Sequence, residues 1–294
     1  MNTHEVADYL RIKERKVYDL VRKQQIPCTR ASGKWLFPKH LIDKWLTGDM
    51  ESVGGVKELR PAPPPVIAGS HDPLLDWSLL ECSSGLAMLG GGSLSGLKYF
   101  VAGEALACGL HILDSKTGDY NIPALLEVYG GTPPGDLVLV EWAKRQQGLV
   151  LAAGNPKGIS GFVDLVKKKA RVMVRQPAAG TRILFENLIN EAGFGESDFN
   201  INDEMAKNET ELGLAIRNRK ADAGLAVASV ARQYDLDFLP LCYERFDLLI
   251  HRRDYFEAPF QSLIGLSRRD SFAMRAREMG GYDITSLGKV HFNG

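Results

Sequence analysis

The chain has 294 residues, 45% of them hydrophobic and 24% charged, with 36 Lys+Arg balanced by 36 Asp+Glu. That length suits two domains, and the composition excludes a disordered or fibrous chain. The start is polar and no apolar run is long enough to span a bilayer, so neither a signal peptide nor a membrane anchor is expected. Cys28, Cys82, Cys108 and Cys242 stand far apart with no CxxC or Cys/His spacing. Reduced thiols in a cytoplasmic protein explain them better than disulfides or zinc.

Charge is unevenly spread: residues 1–50 carry 10 Lys+Arg against 6 Asp+Glu, and residues 51–294 carry 26 against 30. This predicts a basic head that meets nucleic acid and a body that does not. In the head, Thr3 is a candidate N-cap, followed by Val6, Ala7 and Leu10 at helical spacing. The stretch KERKVYDLVRKQQ repeats that period with Val17, Leu20 and Val21 inward, leaving Lys13, Arg15, Lys16, Tyr18 and Arg22 outside. Two short helices and a tight turn make a helix-turn-helix whose second helix enters the major groove. IPCTRASGKWLFP then reads as a small hairpin wing around Ser32-Gly33, with Arg30 and Lys34 beside its tip for phosphate contacts. A third helix, KHLIDKWL, closes the core with Leu41, Ile42, Trp45 and Leu46.

The run from THEVADYL through GKWLFPKHLIDKWL resembles the excisionase-type helix-turn-helix related to the MerR regulators. The resemblance implies double-stranded DNA as a partner. The sequence departs from the family at Arg11, where glycine is common in the turn. A left-handed backbone there costs arginine about 1 kcal/mol.

Residues 51–66, ESVGGVKELRPAPPPV, are rich in Gly and Pro and read as a semi-rigid linker. Beyond them strands alternate with helices, which predicts parallel sheets covered on both faces, with ligands beyond the carboxyl ends of strands. PVIAGSHD, LAMLGGG, CGLHILD, LVLVEWAKRQQGLVLAAG, ARVMV, ADAGLAV and DFLPLCYERFDLLIHRR supply the strands. PLLDWSLLEC and LKYFVAGEALAC supply two of the helices. Four strand–turn–helix junctions carry small or hydroxyl residues: 69–72, 91–96, 178–182 and 221–227. The third, within RQPAAGTRILFENL, puts Gly180, Thr181 and Arg182 at a helix start just after Arg175. Two arginines at the positive end of a helix dipole make a poor cap but a good anion socket.

These motifs, together with TGDYNIP and NPKGISGFVDL, resemble the type II periplasmic-binding-protein fold. The closer likeness is to the PBP-like domain fused behind excisionase-type heads. The expected architecture is therefore a small winged helix-turn-helix head (1–50), a linker (51–66) and a two-lobed α/β body (67–294). Lobe I would take about 67–145 and 250–294, and lobe II about 146–249.

The junction pattern is similar to that of molybdate- and tungstate-binding proteins, although QPAAGTR lacks a serine of the usual GSGTR-like loop. The resemblance implies an anion held by Ser70, His71, Asp72, Ser93, Ser95, Tyr120, Arg175, Gly180, Thr181, Arg182 and Gly224. Asp72, followed by Pro73, also reads as a helix N-cap. No nucleophile and base stand at a convincing spacing, and Asp114, Asp119, Glu209 and Asp222 lack the spacing for a metal cation. The expected protein is a cytoplasmic, homodimeric transcriptional regulator that needs no cofactor and senses molybdate or tungstate. A regulator sensing an organic anion or a molybdenum-cofactor-related metabolite is the first alternative. An enzyme acting on a small anion through a serine or His71 is the second.

Overall fold

The computed structural model describes residues 1–23, 26–31, 33–48 and 62–294. The expected linker over 51–61 and Ser32 at the hairpin tip lie outside them. The chain falls into two compact units, Met1–Ala62 and Pro63–Gly294.

In the first unit, α1 (Thr3–Tyr9) and α2 (Glu14–Arg22) are followed by the antiparallel pair β1 (Thr29–Ala31) and β2 (Lys34–Leu36) and by α3 (Lys39–Gly48). The N-cap of α1 is Asn2, not Thr3. Its side chain accepts from the Glu5 amide while Glu5 reaches back to the Asn2 amide. This capping box satisfies two orphan donors, where a Thr3 cap would satisfy one. Arg11 adopts φ 54°, the left-handed turn expected of this helix-turn-helix. Val6, Ala7, Val17, Ile26, Phe37 and Ile42 form the core, with Trp35 and Trp45 packed against it. Leu41 and Leu46, expected inside, are 39% and 40% exposed because α3 turns only Ile42 and Trp45 inward.

The second unit begins with β3 (Val66–Gly69), α4 (Pro73–Glu81), β4 (Ala87–Gly90), α5 (Ser93–Ala102), β5 (Ala107–Leu110) and α6 (Ile122–Val128). The long strand β6 (Leu137–Leu151) leads to α7 (Phe162–Lys167), β7 (Arg171–Met173), α8 (Gly180–Glu191), β8 (Asn200–Ile201) and α9 (Glu209–Arg217). After β9 (Ala223–Val227) and α10 (Ala228–Gln233), a second long strand, β10 (Asp237–His251), returns. Helices α11 (Arg252–Tyr255), α12 (Ala258–Ser267) and α13 (Asp270–Met279) and the short strands β11 (Tyr282–Asp283) and β12 (Val290–Asn293) complete it. The helix expected over LKYFVAGEALAC is shorter at its C-terminal end. Gly103 takes φ 77° and ends α5, and the chain re-enters the sheet at Ala107.

One sheet runs through the unit in the order β4-β3-β5-β10-β6-β9-β7-β8. Its two ends are parallel, as the alternation predicted, but β6 and β10 pair antiparallel along nearly their whole length. Their first and last thirds belong to different cores. Val138, Val140, Trp142 and Ala143 of β6 pack with Phe246, Leu248 and Ile250 of β10 in lobe I. Leu149 and Leu151 pack with Val172, Leu184, Phe185 and Leu225 in lobe II. Each fully buried side chain of this kind contributes roughly 1.5–3 kcal/mol. The strands therefore cross between lobes at 144–148 and 243–245. Register shifts at Pro240/Cys242 and Phe246/Asp247 bracket the crossing in β10. Such bulges re-aim side chains.

Helix α5 packs tightly on β3. A Cβ on Gly96 would stand 2.2 Å from the Gly69 Cα, whereas one on Gly265, in α12, would meet nothing within 4 Å. Gly96→Ala should therefore destabilise the body by roughly 1–3 kcal/mol or more. Gly265→Ala should stabilise it by about 0.5–1 kcal/mol through helix propensity. Urea unfolding of the full chain separates the two signs.

Candidate functional site

The head presents its basic residues as the sequence predicts. Lys13, Arg15, Lys16, Tyr18 and Arg22 are exposed along α2 and its start, and Arg30 and Lys34 are exposed on the hairpin. Arg15, Tyr18 and Arg22 recur at i, i+3 and i+7 and so share a face. Arg30 stacks its guanidinium 5.5 Å from the Trp35 ring centre, which braces it on the wing.

In the body, the crossing of β6 and β10 builds a buried charge cluster. Arg145 and Glu244 face each other in the strand register, and each is 1% exposed. The Arg145 guanidinium donates to Glu244 Oε1 and, at 3.1 Å, to Asp72 Oδ2, and lies 4.4 Å over the Phe246 ring. Glu244 also takes His111 Nδ1 at 2.8 Å and Gln147 Nε2 at 2.8 Å. Burial alone would raise its pKa, but the charges and hydrogen bonds of Arg145 and His111 outweigh that and hold it at about 2. Tyr120 stands close enough for Glu244, after burial, to push its phenol above the ordinary value.

A second cluster lies in lobe II. Glu209, 1% exposed, accepts from Arg175 Nη1 at 3.1 Å, Thr181 Oγ1 at 2.7 Å and the Val227 amide at 3.1 Å.

The four junctions thus use much of their polar capacity on the protein itself. Ser70 and Ser93 share a hydrogen bond of 2.8 Å, and Ser93 Oγ accepts the His111 amide. The Leu94 amide, at the first turn of α5, donates to the Ala178 carbonyl beside α8, and Gln176 Nε2 donates to the Gly91 carbonyl. Gly92 and Gly180 make this approach possible. A Cβ would stand 2.5 Å from the Ala178 oxygen at Gly92 and 2.4 Å from the His111 oxygen at Gly180.

Several residues expected at the ligand have partners or packing roles within the protein. Asp72 caps α4 through the Leu75 amide and also accepts from Trp142, Arg145 and Tyr282. This fully buried carboxylate is a structural acceptor with four donors. Arg182 turns along α8 to Glu186, at 2.6 Å, and to Glu196, at 2.5 Å. Those ion pairs offset the unfavourable dipole contact and draw the guanidinium away from the Glu209 cluster. Gly224 lies in the middle of β9, three residues before α10. It is glycine for packing, because a Cβ there would meet the Met173 oxygen at 2.7 Å. Ser95 is half-buried, one residue beyond Leu94, and its hydroxyl makes no hydrogen bond among the described residues.

His71 meets Asp76 at 2.5 Å. Burial opposes the imidazolium, but Asp76 outweighs it and raises the His71 pKa. This pair lines two cavities. One, of about 440 Å³, reaches Gly90, Gly91, Gln176, Lys207 and Asn208. The other, of about 570 Å³, reaches Trp77, Thr210, Ser229, Arg232, Arg275 and Glu278. Both fall in the size range of small-molecule sites. Lys207 and Arg232 make no ion pair among the described residues, so the walls carry uncompensated positive charge.

Arg145, Gln147, Glu209 and Glu244 were not expected at the site. A signal was available for three of them: polar residues at the middle of long strands flanked by apolar runs must be paired to be tolerated where the strand is buried. Among the described residues no group of three His, Cys, Asp or Glu is placed to hold a metal ion, and the four cysteines are free. No described helix is long and apolar enough to cross a membrane.

The family model described as PBP superfamily domain matches residues 81–268, and that described as Helix-turn-helix domain matches residues 1–50. The uncharacterized protein YvgK of Bacillus subtilis (strain 168) is 24% identical over 299 residues, covering 97% of this chain and 96% of that protein. The sulfate-binding protein SubI from Mycobacterium tuberculosis H37Rv is similar in fold, with a TM-score of 0.52 at 12% identity, over 74% of this chain and 85% of that one. A peroxide-bound OxyR mutant from Corynebacterium glutamicum gives a TM-score of 0.50 at 11% identity, over 93% and 90% of the two chains.

Glu244→Gln should destabilise the body by roughly 3–5 kcal/mol, because Arg145 loses one of its two buried carboxylates and His111 loses its partner. A depressed carboxylate pKa contributes stability above its unfolded value and loses it as pH falls. Wild-type stability should therefore decline between pH 4.5 and about 2 as Glu244 protonates, and the Gln variant should decline less steeply there. Denaturant midpoints across that window measure both effects.

Proposed function

The chain belongs to the PBP superfamily domain family behind a helix-turn-helix head, and from that premise we propose that it is a DNA-binding transcriptional regulator whose body senses a small organic anion. The observation that carries the ligand class is the pair of cavities meeting at His71 and Asp76, where Lys207 and Arg232 stand without ion pairs. A ligand of metabolite size fits volumes of about 440 and 570 Å³ better than a single tetrahedral ion does. The acid group is received by Lys207 or Arg232, and Asn208, Gln176 and the Gly90–Gly91 backbone offer polar contacts to the remainder.

Molybdate or tungstate is the competing ligand, and the likeness in fold to a sulfate-binding protein keeps it in view. It needs the uncharged donors of the four junctions, of which Ser93, Thr181 and the Leu94 and Val227 amides are already engaged. Binding acts as a switch only if the ligand favours one arrangement of the lobes over the other. The helix-turn-helix reading also carries the expectation of a homodimer on a two-fold symmetric operator. The engaged polar groups of the cleft serve binding and closure better than turnover, so the reading is a regulator and not an enzyme.

A thermal-shift screen of the full chain against small organic acids, molybdate, tungstate, sulfate and phosphate tests the ligand class. An organic acid should raise the melting temperature, and Lys207→Ala or Arg232→Ala should weaken it about tenfold, the usual loss of a charged hydrogen bond. A shift with molybdate or tungstate alone would replace this reading by the oxyanion one. In the head, Arg15→Ala and Lys16→Ala should each weaken DNA binding and lower its salt dependence by about one phosphate contact. Unchanged binding in both would remove DNA from the face of α2.

A further inference from the structure

We propose that Glu209 is the specificity determinant of the cleft: a resident carboxylate that fills the anion position of lobe II and keeps free oxyanions out of it. The inference rests on reading the cleft as an effector site and names which anions that site refuses.

Three donors converge on Glu209 from two strand ends, the connection from β7 into α8 and the end of β9. Arg175 follows β7, Thr181 opens the twelve-residue helix α8, and Val227 ends β9. Thr181 and Val227 belong to the two lobe II junctions that the sequence marks as anion-holding, and the carboxylate engages both at once. Glu209 is the first residue of α9, whose N-cap is its neighbour Asn208. Asn208 lines the 440 Å³ cavity and Thr210 the 570 Å³ cavity, so Glu209 sits between the two chambers and turns inward. Arg175 Nε is buried with no hydrogen-bond partner among the described residues, so the pocket holds more donor capacity than one carboxylate uses. An incoming dianion would meet a fixed like charge at hydrogen-bonding range, in a buried position where screening is weak. Removing the carboxylate leaves a guanidinium, a hydroxyl and an amide aimed at one small volume, which is an anion receptor.

The experiment titrates sodium formate, acetate, sulfate and molybdate into the full chain at constant ionic strength, by melting temperature and calorimetry, for wild type, Glu209→Ala and Glu209→Gln. Glu209→Ala should melt lower than wild type and recover several degrees with formate or acetate, which leave wild type unmoved. Sulfate or molybdate should bind the alanine variant at least tenfold more tightly than wild type. A glutamate that only glues the lobe together gives the lower melting temperature without any anion-specific recovery, and that result overturns the proposal. Where the alanine variant does not fold with or without anions, Glu209→Gln decides, since it keeps the volume and removes the charge. At least threefold tighter sulfate or molybdate supports the proposal, and an unchanged affinity overturns it. Wild type binding molybdate as tightly as the variants also overturns the assignment, yet leaves the sensor reading of the cleft standing.

Discussion

Arg145 is held between Asp72 and Glu244 where the two long strands pass from one lobe to the other, and the arrangement of the body depends on that contact. A guanidinium with 1% exposure is tolerated only when its charge and its donors are met. Asp72 meets it from the N-cap of α4 in lobe I, and Glu244 meets it from the facing strand. Glu244 then gathers His111 from the end of β5 and Gln147 from two residues further along β6. One ion-pair chain thereby fixes a helix start, a strand end and both crossing strands. Shifting either strand by one residue would turn Arg145 or Glu244 to the other face of the sheet and leave a charge buried alone.

The same economy governs the cleft. Where hydroxyls, amides and two arginines were expected around a free anion, the structure has carboxylates of its own seated on guanidinium, hydroxyl and amide donors. Asp72, Glu209 and Glu244 are met by Arg145, Arg175 and the His111 imidazole. No surplus of positive charge remains inside for a dianion. The free cations, Lys207 and Arg232, stand instead on the walls of the two larger chambers. The polarity of the site is therefore set by internal pairing first, and ligand chemistry is left to its rim.

Much of the architecture was legible because it follows from periodicity. The helical spacing of Val6, Ala7, Leu10, Val17, Leu20 and Val21 gave the head, and alternating apolar runs with glycine turns gave the parallel ends of the sheet. Pro73 after Asp72 marked a capped helix, and the structure has that cap. The site was less legible. Asn2 displaces Thr3 as a cap because a capping box depends on a glutamate three residues on, and Glu5 stands three residues after Asn2. Arg182 was read from its place at a helix start, yet Glu186 lies one turn along the same helix and Glu196 beyond it. Gly224, in the fourth junction by sequence, is a close-packing position within β9. Arg145 and Glu244 are 99 residues apart, and only the pairing of β6 with β10 brings them together. Local pattern reports which residues are polar; the partners of those residues come from long-range register.

The central claim is that occupancy of the cleft alters how the head binds DNA, and it is tested most directly by measuring both in one protein. Operator sequences selected from random DNA by the full chain would be titrated by fluorescence anisotropy, with and without a saturating organic acid recovered by its thermal shift. The account predicts at least a fivefold change in DNA affinity, within the usual range of allosteric coupling. Lys207→Ala should move that change to about tenfold higher ligand concentration while leaving ligand-free DNA affinity as it was. Identical DNA isotherms at full cleft occupancy would contradict it.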